Sequence, residues 1–195
     1  TEPAIFRPEA GLWAVRNVTR VYFGAEDDTP VPGDYNGDGK ADIAIFREDQ
    51  GLWAARGVTR FYFGKTDDIP VPADYNSLFP GRVEAAVFRP SAGLWAIRDL
   101  DRIYFGASGD SPRPAKYDTL LGDDAAVFRE TTGLWAVYDF SRYYFGTSRD
   151  SPIPADYNGD QIDDIGIFRD SSGLWAIRGV TRTYFGREYD IPVTR

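Results

Sequence analysis

The chain has 195 residues, 43% of them hydrophobic and 15% aromatic, which is ample for a folded core. Its formal charge of -8 argues against nucleic acid or an anionic membrane as partner, because phosphate binding is driven by dense positive charge. The absence of Cys and His removes disulfides, thiol nucleophiles, the usual zinc ligands and the commonest general base, and no apolar run is long enough to span a membrane.

From the N-terminus, three landmarks follow one another: Phe-Arg at Phe6, Gly-Leu-Trp-Ala around Trp13 and Tyr-Phe-Gly at Tyr22. They return at Phe46, Trp53 and Tyr62, at Phe88, Trp95 and Tyr104, at Phe128, Trp135 and Tyr144, and at Phe168, Trp175 and Tyr184. The tryptophan spacings are 40, 42, 40 and 40, and these are all 5 tryptophans in the chain. Within a repeat, the runs 42–47, 51–56 and 60–64 are aromatic or β-branched and separated by turn residues, which predicts strands. A fourth run, 30–35, carries prolines that cannot donate to a ladder, so it predicts a brief strand. Four strands in about 40 residues make one propeller blade, and no 3.6-residue apolar period suggests a helical repeat.

The sequence therefore predicts an all-β fold, a five-bladed β-propeller of four-stranded antiparallel blades. One domain, 1–195, divides into repeats at about 1–29 with 191–195, 30–69, 70–111, 112–151 and 152–190. The residues near 191–193 match the first strand of a repeat, the strand that the first repeat lacks, so the ring is expected to close through a shared blade. Such closure would cover a sheet edge otherwise open to aggregation.

Between the first and second strands of the second repeat, oxygen side chains fall at loop positions 1, 3, 5 and 9: Asp34, Asn36, Asp38 and Asp42. With the Lys40 carbonyl, and with Gly37 and Gly39 permitting a tight curl, this set suits a hard Ca²⁺ ion. A second copy offers Asp156, Asn158, Asp160 and Asp164, the Ile162 carbonyl, and Gln161 in place of the second glycine. The loop 74–84 is two residues longer and has Leu78 at the fifth position, so metal is not expected there. In the loop 116–124, Lys116 occupies the first position, where its ammonium is expected to replace the ion by pairing with Asp118 and Asp124.

The segment Pro30 to Arg47 resembles the FG-GAP/VCBS-type repeats of bacterial extracellular proteins, related in motif to the calcium-bearing blades of integrin α chains. That resemblance implies propeller blades with Ca²⁺ held between their first two strands. Integrin-type propellers have seven blades, and the five repeats here depart from them. In blade number the chain is nearer to tachylectin-like lectins, a likeness of architecture alone.

Five tryptophans at one repeat position could be sugar-stacking platforms, but core packing is the favoured reading, as it is for the five Phe of Phe-Arg. Arg7, Arg47, Arg89, Arg129 and Arg169, and likewise Arg20, Arg60, Arg102, Arg142 and Arg182, could line an anion site, but blade-to-blade pairing with Asp28, Asp68, Asp110, Asp150 and Asp190 is the favoured reading. The insertion at Leu78 and Phe79 is a candidate contact loop. Adjacent acids such as Asp123 and Asp124, or Asp163 and Asp164, point to opposite faces of a strand and cannot flank one bond, so an enzyme is not expected. The functional expectation is a monomeric, calcium-stabilised binding module for a glycan, with a protein-binding adhesion or scaffold domain as the alternative. Neither nucleic acid nor membrane insertion is expected. Extracellular calcium modules bind with Kd of roughly 10⁻⁴ to 10⁻³ M, so such loops would fill outside the cell, which points to a secreted or surface location.

Overall fold

A computed structural model describes residues 4–76, 78–190 and 192. The strands form five antiparallel sheets in chain order. The first holds β1 (Ala4–Arg7), β2 (Leu12–Val15) and β3 (Thr19–Tyr22). The second holds β4 (Asp28–Pro30), β5 (Ala44–Arg47), β6 (Leu52–Ala55) and β7 (Thr59–Tyr62). The third holds β8 (Ile69–Pro70), β9 (Ala86–Arg89), β10 (Leu94–Ile97) and β11 (Asp101–Tyr104). The fourth holds β12 (Asp110–Pro112), β13 (Ala126–Arg129), β14 (Leu134–Val137) and β15 (Ser141–Tyr144). The fifth holds β16 (Asp150–Pro152), β17 (Gly166–Arg169), β18 (Leu174–Ile177) and β19 (Thr181–Tyr184). These sheets are the blades of a five-bladed β-propeller. The strand expected from 191–195 to complete the first blade lies outside the described residues.

Alternation assigns each blade two working faces. In the second blade Phe46, Trp53 and Phe61 stand in one cross-strand row, while Arg47, Leu52 and Tyr62 form the next row on the opposite face. The Phe–Trp face packs on the following blade: Phe46, Trp53 and Ala55 share a core with Val87, Leu94 and Ala96. The same contact recurs between the third and fourth blades and between the fourth and fifth. Ring centroids of the Phe–Trp pairs lie 4.9 to 5.3 Å apart. Trp13, Trp53, Trp95 and Trp135 are at most 4% exposed, and each indole N–H donates to a backbone carbonyl ten residues on, such as Phe63 O at 3.0 Å from Trp53. They are core residues, as expected.

The glycine of Tyr-Phe-Gly lets the blades approach. Gly64 has φ 96°, and a Cβ there would stand 3.1 Å from a Val87 methyl of the next blade. Gly24, Gly106 and Gly146 meet Ile45, Val127 and Ile167 in the same way. The two end blades differ, because Ile5 is 54% exposed and Phe185 76%, whereas Ile45 is 2% exposed.

The Arg–Asp pairing runs within blades rather than between them. Arg47 grips Asp28 through Nε at 2.7 Å and Nη2 at 2.9 Å, and Arg89–Asp68, Arg129–Asp110 and Arg169–Asp150 repeat the fork. The reason is register: the first strand starts at Asp28, two residues before Pro30, and Asp28 is directly opposite Arg47. Thus the Asp belongs to the blade that follows it. Each carboxylate also accepts an N–H from the incoming connection, as Asp110 does from Ala107 at 2.9 Å. The second arginine set, Arg20 to Arg182, takes no carboxylate partner among the described residues.

Asp110 is 4% exposed, so its loss orphans both the Ala107 N–H and the Arg129 guanidinium. Asp110→Ala is expected to lower the unfolding free energy by about 2 kcal/mol in urea titrations, while exposed Asp101→Ala changes it by less than about 0.5 kcal/mol.

Candidate functional site

Three regions carry polar or exposed groups in excess of what folding requires: the loops after the first strands, the inner ring around the axis, and the outer rim. In the loop 34–42 the chain curls around one carboxylate. Asp34 accepts backbone N–H bonds from Asn36, Gly37, Asp38 and Gly39 at 2.6 to 3.2 Å. Asn36 Oδ1 takes the Asp38 N–H, Asp38 the Lys40 N–H, and Asp42 takes the Tyr35 N–H and the Asn36 amide. Burial pushes the Asp34 carboxyl upward, but the four N–H bonds together outweigh it and hold it below the usual carboxylate range.

The loop 156–164 builds the same arrangement. Asp156 accepts from Gly159, Asp160 and Gln161, Asn158 from Asp160, Asp160 from Ile162, and Asp164 from Tyr157 and the Asn158 amide. Gln161 takes φ 71°, the left-handed conformation that Gly39 adopts at φ 80°. The Gln161 N–H leads the bonds that hold the Asp156 carboxyl low.

Both loops thus bring together the residues that the spacing selected. As metal ligands their chemistry fits a hard cation, since all donors are oxygens and Asn36, Asp38 and Asp42 keep unused lone pairs. Their acids face backbone N–H groups, however, and among the described residues no three acidic side chains converge as a metal cluster.

The other two loops keep the closing acid and lose the cage. Glu84 accepts from Tyr75 and Asn76, and Asp124 accepts from Tyr117. Lys116 forms no ion pair with Asp118 or Asp124 among the described residues; those carboxylates accept the Leu120 and Tyr117 N–H groups. Common to all four loops is a tyrosine whose hydroxyl donates back to the first strand, from Tyr35 to Val31 O at 2.8 Å and from Tyr75, Tyr117 and Tyr157 likewise. Sequence reasoning assigned these tyrosines no role, although their fixed place after the first loop position was visible.

Nearer the axis, successive blades are stapled through the loop backbones. Asp123 donates its N–H to Asp74 O and its carboxylate accepts the Asp74 N–H at 2.9 Å; Asp163 does the same to Lys116, at 2.6 and 3.0 Å. Val83 makes only the backbone half, to Asp34 O at 2.8 Å. Asp123 and Asp124 are therefore engaged separately, one across blades and one within its own loop. The prolines of the inner strands, among them Pro72, Pro114 and Pro154, line a cavity of about 1200 Å³ with Asp74, Asp123 and Asp163.

At the rim, Tyr22, Tyr62, Tyr104, Tyr144 and Tyr184 are 64 to 75% exposed. Each shares a sheet face with an exposed arginine two residues earlier, from Arg20 to Arg182. The exposed repeated aromatic is this tyrosine and not the tryptophan. Its position was legible in Tyr-Phe-Gly, but its outward direction depends on strand register. Leu78 and Phe79 are also exposed, and Phe79 lines a cleft of about 540 Å³ with Tyr35, Asn36 and Arg98.

Comparison with protein-family models, curated proteins and solved structures found no match.

Asp123 is pushed up to about 6, first by burial and then by the carboxylates of Asp74, Asp163 and Asp124, against the lowering effect of the Asp74 N–H. Because this exceeds the unstructured value of 3.8, the folded chain holds an extra proton between about pH 4 and 6, and stability from this group falls as pH rises through that window. Asp123→Asn keeps an oxygen acceptor for the Asp74 N–H and removes the charge. It is expected to raise stability at pH 7 by about 1 to 2 kcal/mol and to flatten the melting profile between about pH 4 and 6.

Proposed function

We propose that this domain is a calcium-stabilised extracellular module that binds carbohydrate through repeated sites on the rim of its blades, without catalytic activity. The observation that carries the reading is the row of five exposed tyrosines, Tyr22, Tyr62, Tyr104, Tyr144 and Tyr184. An aromatic side chain left in water contributes little to folding, yet every blade presents one at the same strand position. An aromatic face backed by hydrogen-bonding groups suits the C–H face of a sugar ring, and five weak sites on one rigid ring turn modest affinity into avidity. Tryptophan plays no part in recognition on this reading, four of the five being held in the core and Trp175 half-buried.

Calcium enters the reading through Asp34, Asn36, Asp38, Asp42 and the Lys40 carbonyl, and through Asp156, Asn158, Asp160, Asp164 and the Ile162 carbonyl. Support comes from the all-oxygen donor set and from an Asp34 and Asp156 that favour ionisation. A bound ion would tie each loop to its own strands and stiffen the blade. The surface location follows from the millimolar calcium that such modules require.

A second reading, a protein-binding adhesion or scaffold domain, is favoured by one feature: Leu78 and Phe79, 80% and 62% exposed, on the one lengthened loop.

A glycan array probed with labelled protein in millimolar calcium tests the first reading. Clear binding to one sugar class, reduced several-fold in Tyr104→Ala/Tyr144→Ala, is expected; a silent array would favour the protein partner. Calcium at about ten times Kd is expected to raise stability by roughly 1.4 kcal/mol per filled loop in thermal melts, and Asp38→Ala/Asp160→Ala to abolish the rise.

A further inference from the structure

The rim tyrosines do not stand alone. In the third blade Arg89, Leu94 and Tyr104 form one cross-strand row, and Arg102 occupies the same face two residues before Tyr104, about 7 Å along the strand. Arg47, Arg60 and Tyr62 repeat this in the second blade, Arg129, Arg142 and Tyr144 in the fourth, and Arg169, Arg182 and Tyr184 in the fifth. Arg7, Arg20 and Tyr22 hold the same strand positions in the first.

The two arginines are prepared differently. Arg89 spends Nε and Nη2 on buried Asp68, which leaves Nη1 without a protein partner among the described residues and fixes the plane of the guanidinium. The Arg89 side chain remains 24% exposed, and its counterparts Arg47, Arg129 and Arg169 are 30 to 37% exposed. Asp68 is the main cause holding Arg89 above its ordinary range, and the nearby Tyr104 hydroxyl adds to it, as Tyr144 does for Arg129 and Tyr184 for Arg169. Arg102 is exposed and takes no carboxylate partner among the described residues. It lines a groove of about 520 Å³ against Phe63 of the preceding blade, and Arg142 lines one of about 450 Å³ against Phe105. Of the two acids that line the first groove, Asp99 is taken by Arg98 at 3.1 Å and Asp101 accepts the backbone N–H of Arg102.

Each site from the second blade to the fifth therefore offers an oriented guanidinium edge, a loose guanidinium and a phenol. That is a surface of donors. Sugar hydroxyls both donate and accept, so a neutral glycan leaves such donors half used, whereas a carboxylate or sulfate accepts from both arginines. We infer that the rim sites recognise an anionic polysaccharide, its charged groups held by the paired arginines of successive blades and its rings stacked on the tyrosines. This rests on the carbohydrate reading and narrows it to acidic polymers. Part of the overall charge of -8 sits around the axis, where Asp74, Asp123 and Asp163 line the central cavity.

Binding of the full chain to polygalacturonate, to a sulfated galactan and to neutral dextran is the test, with the first two polymers separating carboxylate from sulfate. The expected result is binding to at least one anionic polymer, weakened about tenfold or more between 50 and 300 mM salt, and negligible binding to dextran. Arg102→Gln/Arg142→Gln, at exposed positions that leave the melt unchanged, is expected to lose about tenfold in affinity, with Arg→Lys at the same sites recovering only part. Equal binding to dextran, or affinity for the acidic polymers that the Gln variant retains in full, would overturn the inference and leave the carbohydrate reading intact. Silence toward every polymer here and on a broad glycan array would remove both.

Discussion

Each of the four described first strands is headed by a carboxylate taken out of water, and most of what distinguishes this propeller follows from that one buried charge. Placing a lone carboxylate in the protein interior would cost several kcal/mol. Asp28, Asp68, Asp110 and Asp150 avoid that cost by accepting an arginine fork from the neighbouring strand and an N–H from the incoming connection. The fork fixes the register of a first strand that is only two or three residues long and interrupted by proline. The N–H bond fixes how the chain crosses from one blade to the next. The arginine so held is also turned outward at its free edge, so the interaction that begins a blade prepares the rim for recognition.

Around that constant element the repeats have diverged where divergence is cheap. The tyrosine and closing acid persist in all four described loops, since they hold the loop to the strands it connects. The first-position acid persists in three, and the full cage in two. The inner staple differs in its donors: Val83 N–H and Arg82 Nε reach Asp34 O and Tyr35 O, while Asp123 and Asp163 each make two bonds themselves. Blades without a caged loop are thus not uniformly weaker, because Asp123 and Asp163 tie the third and fourth blades to their successors. Asp123 does so at an electrostatic cost, set among other carboxylates.

The aromatic residues divide along the same structural line. Tryptophan and phenylalanine on one face of the second, third and fourth sheets are consumed by the next blade, and the tyrosine on the other face lies beyond the reach of the preceding one. A ring of flat blades necessarily splays toward its circumference, so the outermost strand has room around it that the inner strands lack. The same geometry that excludes water from Trp95 leaves Tyr104 at 73% exposure. Repetition then presents that exposed ring at regular intervals, an arrangement suited to polymeric ligands.

Much of this was legible in the residues. Repeat length, strand number, blade count, the core role of tryptophan and the curled loops at Asp34 and Asp156 follow from local chemistry: turn residues, alternation and oxygen spacing act over a few positions and leave their pattern in the chain. The partner of each arginine was not legible, because a blade boundary two residues earlier transfers Asp28 from one blade to the next, and only strand pairing decides it. Nor was the clamp made by Asp123, which depends on contact with Asp74, forty-nine residues away. Lys116 carried the right charge to replace a cation, yet it pairs with neither Asp118 nor Asp124, since the path of a long side chain is set by its tertiary surroundings. The sequence by itself determined what repeats and how often, since periodicity is a one-dimensional property. Tertiary structure decided which repeated aromatic faces water and which arginine is pinned, because exposure and ion pairing are set by how neighbouring sheets meet in space.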